Sequence, residues 1–269
     1  MTHPTYETAI AATERATYVL ANNPGVMTLD GTNTWILREP GHTGVVVVDP
    51  GPADEAHLAT VMAEATRDGG HVDLVLYTHH HGDHTEAIDR FAELTGAPAR
   101  AIGEDYCRDA KRLTDTETIT VDGLTLAVMA TPGHTRDSMS LVLVDEGSLL
   151  SGDTILGHGT TVVAYPDGAL GPYLDSLAAI RCAIDDGFGG SGPIRRILPA
   201  HGAVIEDPSG VVDFYIAHRQ DRLDQVRQAV ADGAQSPREV VELVYAEVDP
   251  MLWPAAELSV RAQLDFLGQ

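Results

Sequence analysis

The run Tyr77-Thr78-His79-His80-His81-Gly82-Asp83-His84-Thr85 constrains this chain more than any other stretch of it. It follows an apolar, strand-like segment and reads H-x-H-x-D-H. Packing gives no reason to gather so many imidazoles and a carboxylate in so short a space. Neutral imidazole and carboxylate are ligands for a divalent first-row metal, zinc above all. An artificial histidine tract would be terminal and unbroken, whereas this one is internal and interrupted by Gly82 and Asp83.

Three further turns share a layout with the first. Thr131-Pro132-Gly133-His134-Thr135 follows the apolar segment 124–130, Ser151-Gly152-Asp153-Thr154 follows Ser148-Leu149-Leu150, and Pro199-Ala200-His201-Gly202 follows 194–198. Each apolar run of strand length ends at a glycine-flanked turn that carries one His or Asp. Glycine permits sharp backbone turns that bulkier residues resist. Each turn is weak evidence alone, but together they point to one site at the strand ends.

In this order and at these distances, the motifs H-x-H-x-D-H, G-H, G-D-T and H-G resemble those of the metallo-β-lactamase superfamily over residues 18 to 205. The segments Asn23-Pro24-Gly25-Val26-Met27-Thr28-Leu29-Asp30-Gly31-Thr32-Asn33-Thr34-Trp35 and Gly152-Asp153-Thr154-Ile155-Leu156-Gly157-His158-Gly159-Thr160-Thr161 are similar to the β-lactamase-like protein 2 branch. That branch includes a single-strand-directed endoribonuclease, and related proteins include thioesterases. The resemblance implies an α/β (α+β) fold: a four-layer αβ/βα sandwich with a small C-terminal helical, winged-helix-like appendage.

Bulk properties fit one or two globular domains in 269 residues, 43% hydrophobic and 21% charged. Cys107 and Cys182 match no cysteine-based zinc pattern and no disulfide framework, and Cys182 is expected as a packed thiol. The start of the chain, residues 1–15, does not read as a secretory signal or a basic transit peptide, and no run reaches the length of a membrane span. A soluble, cytoplasmic protein is expected, which argues against an exported antibiotic-degrading enzyme. The formal net charge of −23 weakens non-specific binding of polyanions. Candidate basic patches are Arg195-Arg196 and the group Arg219, Arg222 and Arg227. The latter lies in a stretch that also holds Asp221 and Asp224, so it reads as a surface helix of mixed charge.

Pattern and punctuation predict strands at 33–37, 45–49, 72–78, 124–130, 139–145, 148–151 and 194–198. Helices are expected at 53–66, with Leu58, Val61 and Met62 on one side, at 85–94, with Ile88, Phe91 and Leu94 facing the core, and at 173–185. A catalytic domain over 1–207 precedes a helical domain over 208–269. The latter holds helices at 211–231, from Ser236-Pro237-Arg238-Glu239 onward with Ser as N-cap, and at 254–267. In the related branch a wing hairpin would follow Gly268-Gln269.

By resemblance, one metal falls to His79, His81 and His134 and the second to Asp83, His84 and His201, with Asp153 bridging. Two ions about 4 Å apart can share a hydroxide whose parent water has its pKa lowered to about 7. The expected cofactor is therefore Zn2+, two per chain, with Mn2+ or Fe2+ as alternatives. Asp83 and Asp153 are the expected catalytic carboxylates, orienting the hydroxide and moving protons. Thr78, Thr135 and Thr154 are placed to orient imidazoles or to cap turns. His158 and His218 are candidate substrate residues. His80 is expected in solvent, and Asn33 is expected to fix a turn. His3, His42, His57 and His71 fall in loops or on polar helix faces and need no function.

The expected function is metal-dependent hydrolysis by a metal-bridging hydroxide. The leading specific version is an endoribonuclease acting on single-stranded RNA, and the alternative is a small thioester or ester hydrolase, as for glyoxalase II. A flavodiiron-type redox protein would carry H-x-E-x-D-H and a flavin domain. Here His81 replaces the glutamate and no room for that domain remains. A non-catalytic module would be expected to lose ligands, yet every ligand position is filled.

Overall fold

The strand Gly44–Val48 (β4) shows why the apolar runs are continuous. Of Gly44–Val48, Val46 and Val48 point one way, into a core shared with a second sheet, while Val45 and Val47 point the other way, under helices. A strand covered on both faces needs apolar residues at every position. This is a computed structural model, and it describes residues 5–268, so His3 lies outside the described residues.

Strands β1 (Ala9–Ala11), β2 (Ala16–Leu20), β3 (Asn33–Leu37), β4, β5 (His71–Leu76) and β6 (Ala99–Arg100) form one sheet in sequence order. β7 (Thr118–Val121), β8 (Leu124–Ala130), β9 (Met139–Leu143), β10 (Ser148–Gly152) and β11 (Arg196–Pro199) form the second, in the order β11-β10-β9-β8-β7. Both sheets are mixed: β4–β5, β5–β6 and β10–β11 are parallel, and the other pairs are antiparallel. Between them lies a core with Trp35, Leu37, Leu76, Leu126, Leu141 and Leu198. Each such side chain contributes roughly 1.5–3 kcal/mol on burial.

Helices α1 (Glu55–Ala65), α2 (Gly82–Thr85) and α3 (Ile88–Thr95) belong to the first sheet's side, where Leu58, Val61 and Phe91 pack against Val45, Val47 and Val75. On the outer face of the second sheet, α4 (Leu170–Asp186) and α5 (Pro208–Ala231) bury Leu177, Ile180, Val212 and Tyr215. The result is the expected four-layer sandwich. Beyond it, α6 (Pro237–Val244), α7 (Trp253–Leu267) and the end of α5 close a small core of Val226, Val240, Val241 and Val260. Ser236 Oγ accepts from the Glu239 amide at 3.3 Å and Pro237 opens α6, as the sequence pattern predicts. Among the described residues no helix is long and apolar enough to cross a membrane.

Several local expectations differ from the structure. The single helix over 85–94 is two, because Ala87 leaves helical geometry at φ −81°, ψ 2° between α2 and α3. Leu94 is exposed rather than core, since residues three apart drift by about 60° around a helix and Leu94 reaches the rim of the face centred on Ile88 and Phe91. Cys182 is exposed, about 200° around α4 from the buried Ile180. The short strands β1, β2, β6 and β7 were not expected. β1 and β7 are edge strands of only three and four residues, and β7 alternates exposed Thr118 and Thr120 with buried Ile119.

Candidate metal centre

Every candidate ligand sits just past the C-terminal end of a strand. β5 leads into His79, His81 and α2 with Asp83 and His84, β8 into His134, β10 into Asp153, and β11 into His201. Two of the turns require glycine. Gly133 has φ 138°, and a Cβ there would lie 2.3 Å from Tyr173 Cα; Gly152 has φ 51°, and its Cβ would meet Thr78 Cβ at 2.9 Å. The first approach seats the His134 loop on α4, and the second sets the end of β10 against the chain leaving β5, which joins the two sheets at the site.

All seven candidates converge. His79 Nε2 and His134 Nε2 each lie 3.0 Å from His81 Nδ1, and these three with Asp153 form one group. Asp83, His84 and His201 form the second, with both imidazole Nε2 atoms within 3.3 Å of Asp83 Oδ2. Asp153 stands between them. Its Oδ2 faces His134 Nε2 at 3.6 Å and His79 Nε2 at 3.9 Å, while its Oδ1 faces His201 Nε2 at 3.3 Å and His84 Nε2 at 3.6 Å.

The imidazoles are held from behind. His84 Nδ1 donates to Asp49 Oδ2 at 2.9 Å, His134 Nδ1 to the Val162 carbonyl at 2.7 Å, and His201 Nδ1 to the Gly31 carbonyl at 2.9 Å. The Thr78 hydroxyl donates to Asp49 Oδ2 and so receives His79 Nδ1, at 3.1 Å. With Nδ1 as the donor, each of these four rings turns its Nε2 inward. Buried His84 Nε2, His201 Nε2 and Asp153 Oδ1 have no hydrogen-bond partner. Buried polar atoms without partners are costly, and here they aim at a common point. The donor set fits divalent cations.

Charge divides the cluster. Burial, followed by neighbouring imidazoles, holds His79 and His81 neutral, with His81 down to about 4; burial also lowers His134. Burial pushes His84 and His201 the same way but is outweighed by Asp83 and Asp153, joined by Asp49 at His84, so both are raised, His201 to about 10. Burial likewise opposes ionisation of Asp83 and Asp153 but is outweighed by His84 and His201, which hold both well below the usual carboxylate range.

The remaining sequence candidates separate. Thr78 touches a candidate ligand, whereas the Thr135 and Thr154 hydroxyls bond to Asp137 and Thr131. Asn33 does more than fix its own turn: Nδ2 donates to the Pro199 and Gly202 carbonyls and ties β3 to the His201 loop. His80 is not in open solvent but half-buried, 2.7 Å from Asp137. His57 is fully buried, between Thr34 Oγ1 at 2.8 Å and Glu7 Oε2 at 3.0 Å. Asp49 and Thr32, whose hydroxyl donates to Asp83 at 3.0 Å, were missed as supports of the centre. An acidic residue at a strand end before Pro-Gly reads as a turn former, and only the three-dimensional neighbours reveal more.

A cleft of about 70 Å³ opens over the centre, lined by His81, Asp83, His134 and Asp153 together with Val26, Met27, Leu29 and Leu156. A cavity of about 300 Å³ adjoins it and holds His158 and His218 in its wall. His158 is exposed, 3.7 Å from Asp30, and His218 stacks on Phe214 at 5.8 Å. The expected basic patches form no single track, although Arg219 and Arg222 both line the adjoining cavity. Arg196 faces Glu206, Arg195 lines a separate cavity with Asp145 and Glu146, and Arg227 pairs with Asp224. Arg219 is buried, which corrects the expectation of a surface position.

Residues 27–187, more than half of the sequence, match the family model described as Metallo-beta-lactamase superfamily. The chain belongs to the metallo-beta-lactamase superfamily. Residues 236–268 match the Beta-lactamase associated winged helix domain. The superfamily member described as Beta-lactamase-like protein 2 homolog, from Drosophila melanogaster, is 33% identical, over 93% of this chain and 86% of its own. Lactamase-like protein vrtG of Penicillium aethiopicum is 32% identical, over 95% of this chain and 79% of its own. Among solved superfamily structures, a beta-lactamase domain protein from Burkholderia ambifaria superposes with a TM-score of 0.81 at 23% identity, covering 99% of this chain and 89% of that one. That likeness concerns the fold.

Proposed function

We propose that this metallo-beta-lactamase superfamily protein is a dinuclear metal-dependent hydrolase of small thioesters or esters. The observation that carries the substrate class is the wall around the centre. It is apolar at Val26, Met27, Leu29 and Leu156, and the candidate arginines form no continuous basic track. Single-stranded RNA needs successive phosphate contacts along a positive groove. A chain of net charge −23 in which only Arg219 and Arg222 of the candidate arginines lie near the centre is poorly suited to that substrate.

His79, His81 and His134 would hold one ion and Asp83, His84 and His201 the other, with the two oxygens of Asp153 divided between them. Imidazole-rich sites with carboxylates suit zinc, and Mn2+ or Fe2+ are compatible with the same donors. Bound there, the ions supply Lewis acidity and a water nucleophile at neutral pH. Asp83 lines the cleft and is held ionised, so it accepts a hydrogen bond from the attacking water and orients it. Hydrolysis adds the water oxygen to the acyl carbon and breaks that carbon's bond to sulfur or oxygen. The acid keeps the new oxygen, and the departing thiolate or alkoxide takes up a proton. We place the catalytic domain over 1–207 and the helical domain over 208–269, with α5 bridging the two: Val212 and Tyr215 pack on the second sheet and Val226 on α6 and α7.

The test is a parallel assay of an acyl thioester, an aryl ester, a phosphodiester reporter and single-stranded RNA, with and without chelator. Chelator-sensitive turnover of the thioester or ester supports this reading. Turnover confined to RNA or the phosphodiester overturns it.

A further inference from the structure

In a chain with 40 acidic residues, the cavity beside the centre has no carboxylate among the described residues of its wall. It lies between the 26–29 loop, residues 156–162, α5 and α7, and it shares Val26, Met27, Leu29 and Leu156 with the cleft over the centre. Val26 and Met27 are 47% and 49% exposed, apolar surface that a bound molecule would cover. At about 300 Å³ it is at the lower end of small-molecule sites.

Its one charged side is cationic. Arg219 is only 6% exposed, its guanidinium lies 5.0 Å above the Tyr173 ring, and it donates to the Thr161 carbonyl. Its Nε is buried with no partner. Arg222 stacks 4.7 Å over Tyr245 and donates to the Val244 carbonyl and to Gln225. Among the described residues neither has a carboxylate partner, whereas Arg15, Arg90, Arg100, Arg108 and Arg181 each have one. His218, in the same wall, is lowered by burial and then by Arg219 and Arg222, a sign that their positive potential reaches it. A buried guanidinium without a counter-ion costs several kcal/mol. A ligand that brings the missing negative charge offsets that cost.

We propose that this cavity is a substrate subsite for an apolar acyl or aryl body ending in a carboxylate, with the carboxylate received by Arg219 and Arg222 while the scissile carbonyl faces the metal centre. The assignment of the carbonyl rests on the hydrolase reading above; the carboxylate subsite does not. A monoanion fits better than a phosphate dianion, because the acidic surface repels the higher charge more strongly.

The test uses the zinc-loaded protein and two probes. Calorimetry compares 4-phenylbutyrate with its neutral amide, and hydrolysis compares a medium-chain thioester ending in carboxylate with the same chain ending in amide. Both preferences are expected to be about tenfold or more and to fall toward unity in Arg222→Gln and Arg219→Lys, since a charge-assisted bond is worth that much. Arg222 is only partly buried, so Arg222→Gln keeps the test decisive if Arg219→Lys fails to fold. Preferences absent, or unchanged in Arg222→Gln, overturn the subsite. So does tighter binding of phenyl phosphate or a short RNA oligonucleotide than of phenylbutyrate. Arginine-dependent phenylbutyrate binding without turnover of any thioester or ester would sink the hydrolase reading and leave the subsite standing.

Discussion

Asp49 Oδ2 accepts a hydrogen bond from His84 Nδ1 at 2.9 Å across 35 positions of sequence. The same carboxylate receives the Thr78 amide at 2.8 Å and the Thr78 hydroxyl at 2.7 Å. Asp49 is buried and non-glycine, yet it sits at φ 50°, a conformation usually held only where surroundings dictate it. One side chain therefore fixes His84 directly and His79 through Thr78. Asp49→Asn should reduce zinc affinity by about 10- to 100-fold while the protein stays folded. Competition with a chromogenic chelator measures it, and unaltered affinity would remove Asp49 from the metal centre's support.

Metal uptake should release protons. His84 and His201 are raised, His201 to about 10, so both carry protons at neutral pH that a cation must displace. Zinc affinity is expected to rise with pH from about 6 to 8 and to level off only above the raised values. Calorimetry in buffers of different ionisation enthalpy counts the protons, and affinity that falls over this range contradicts the charge assignment.

How much of this was legible in sequence varies by residue. The ligands could be read because each is a polar residue just past the end of an apolar strand, and at His134, Asp153 and His201 a neighbouring glycine holds a positive φ. A buried strand could be read from the unbroken apolar run Val45 to Val48, whereas the four-layer topology was legible only through the resemblance to the superfamily. Asp49, Thr32 and the Gly31 carbonyl could not, since their roles depend on loops that meet only after both sheets pack. The same holds for His57, whose polar neighbours Glu7 and Thr34 come from other elements. Arg219 looked like one charge among many on α5, because its burial is imposed by α4 and the 156–162 loop.

His57 should make stability pH-dependent. Burial lowers its pKa below 6.5, so the unfolded chain binds the proton more readily. Its contribution is therefore complete above about 6.5 and declines as pH falls through that value toward the folded pKa. The difference in urea-unfolding free energy between wild type and His57→Gln should shrink across that window, and a constant difference would contradict it.

Gly133→Ala should destabilise the fold by about 3 kcal/mol or more, because the new Cβ meets Tyr173 backbone and φ is 138°. Arg195→Ala with Arg196→Ala should leave ester or thioester turnover within about twofold of wild type, since neither lines the cleft. Denaturant titration and steady-state kinetics check the two. A stable Gly133→Ala would undercut the packing described here, and a large kinetic loss in the arginine variant would argue for an extended polyanion track.

The most direct test of the paired-ion centre is a titration of chelator-stripped protein with zinc, following metal content by mass spectrometry and thioester or ester hydrolysis in parallel. Activity that climbs to a plateau as content reaches two ions per chain, and that His81→Ala abolishes without loss of fold, is the predicted result. Full activity in protein stripped of metal would contradict it.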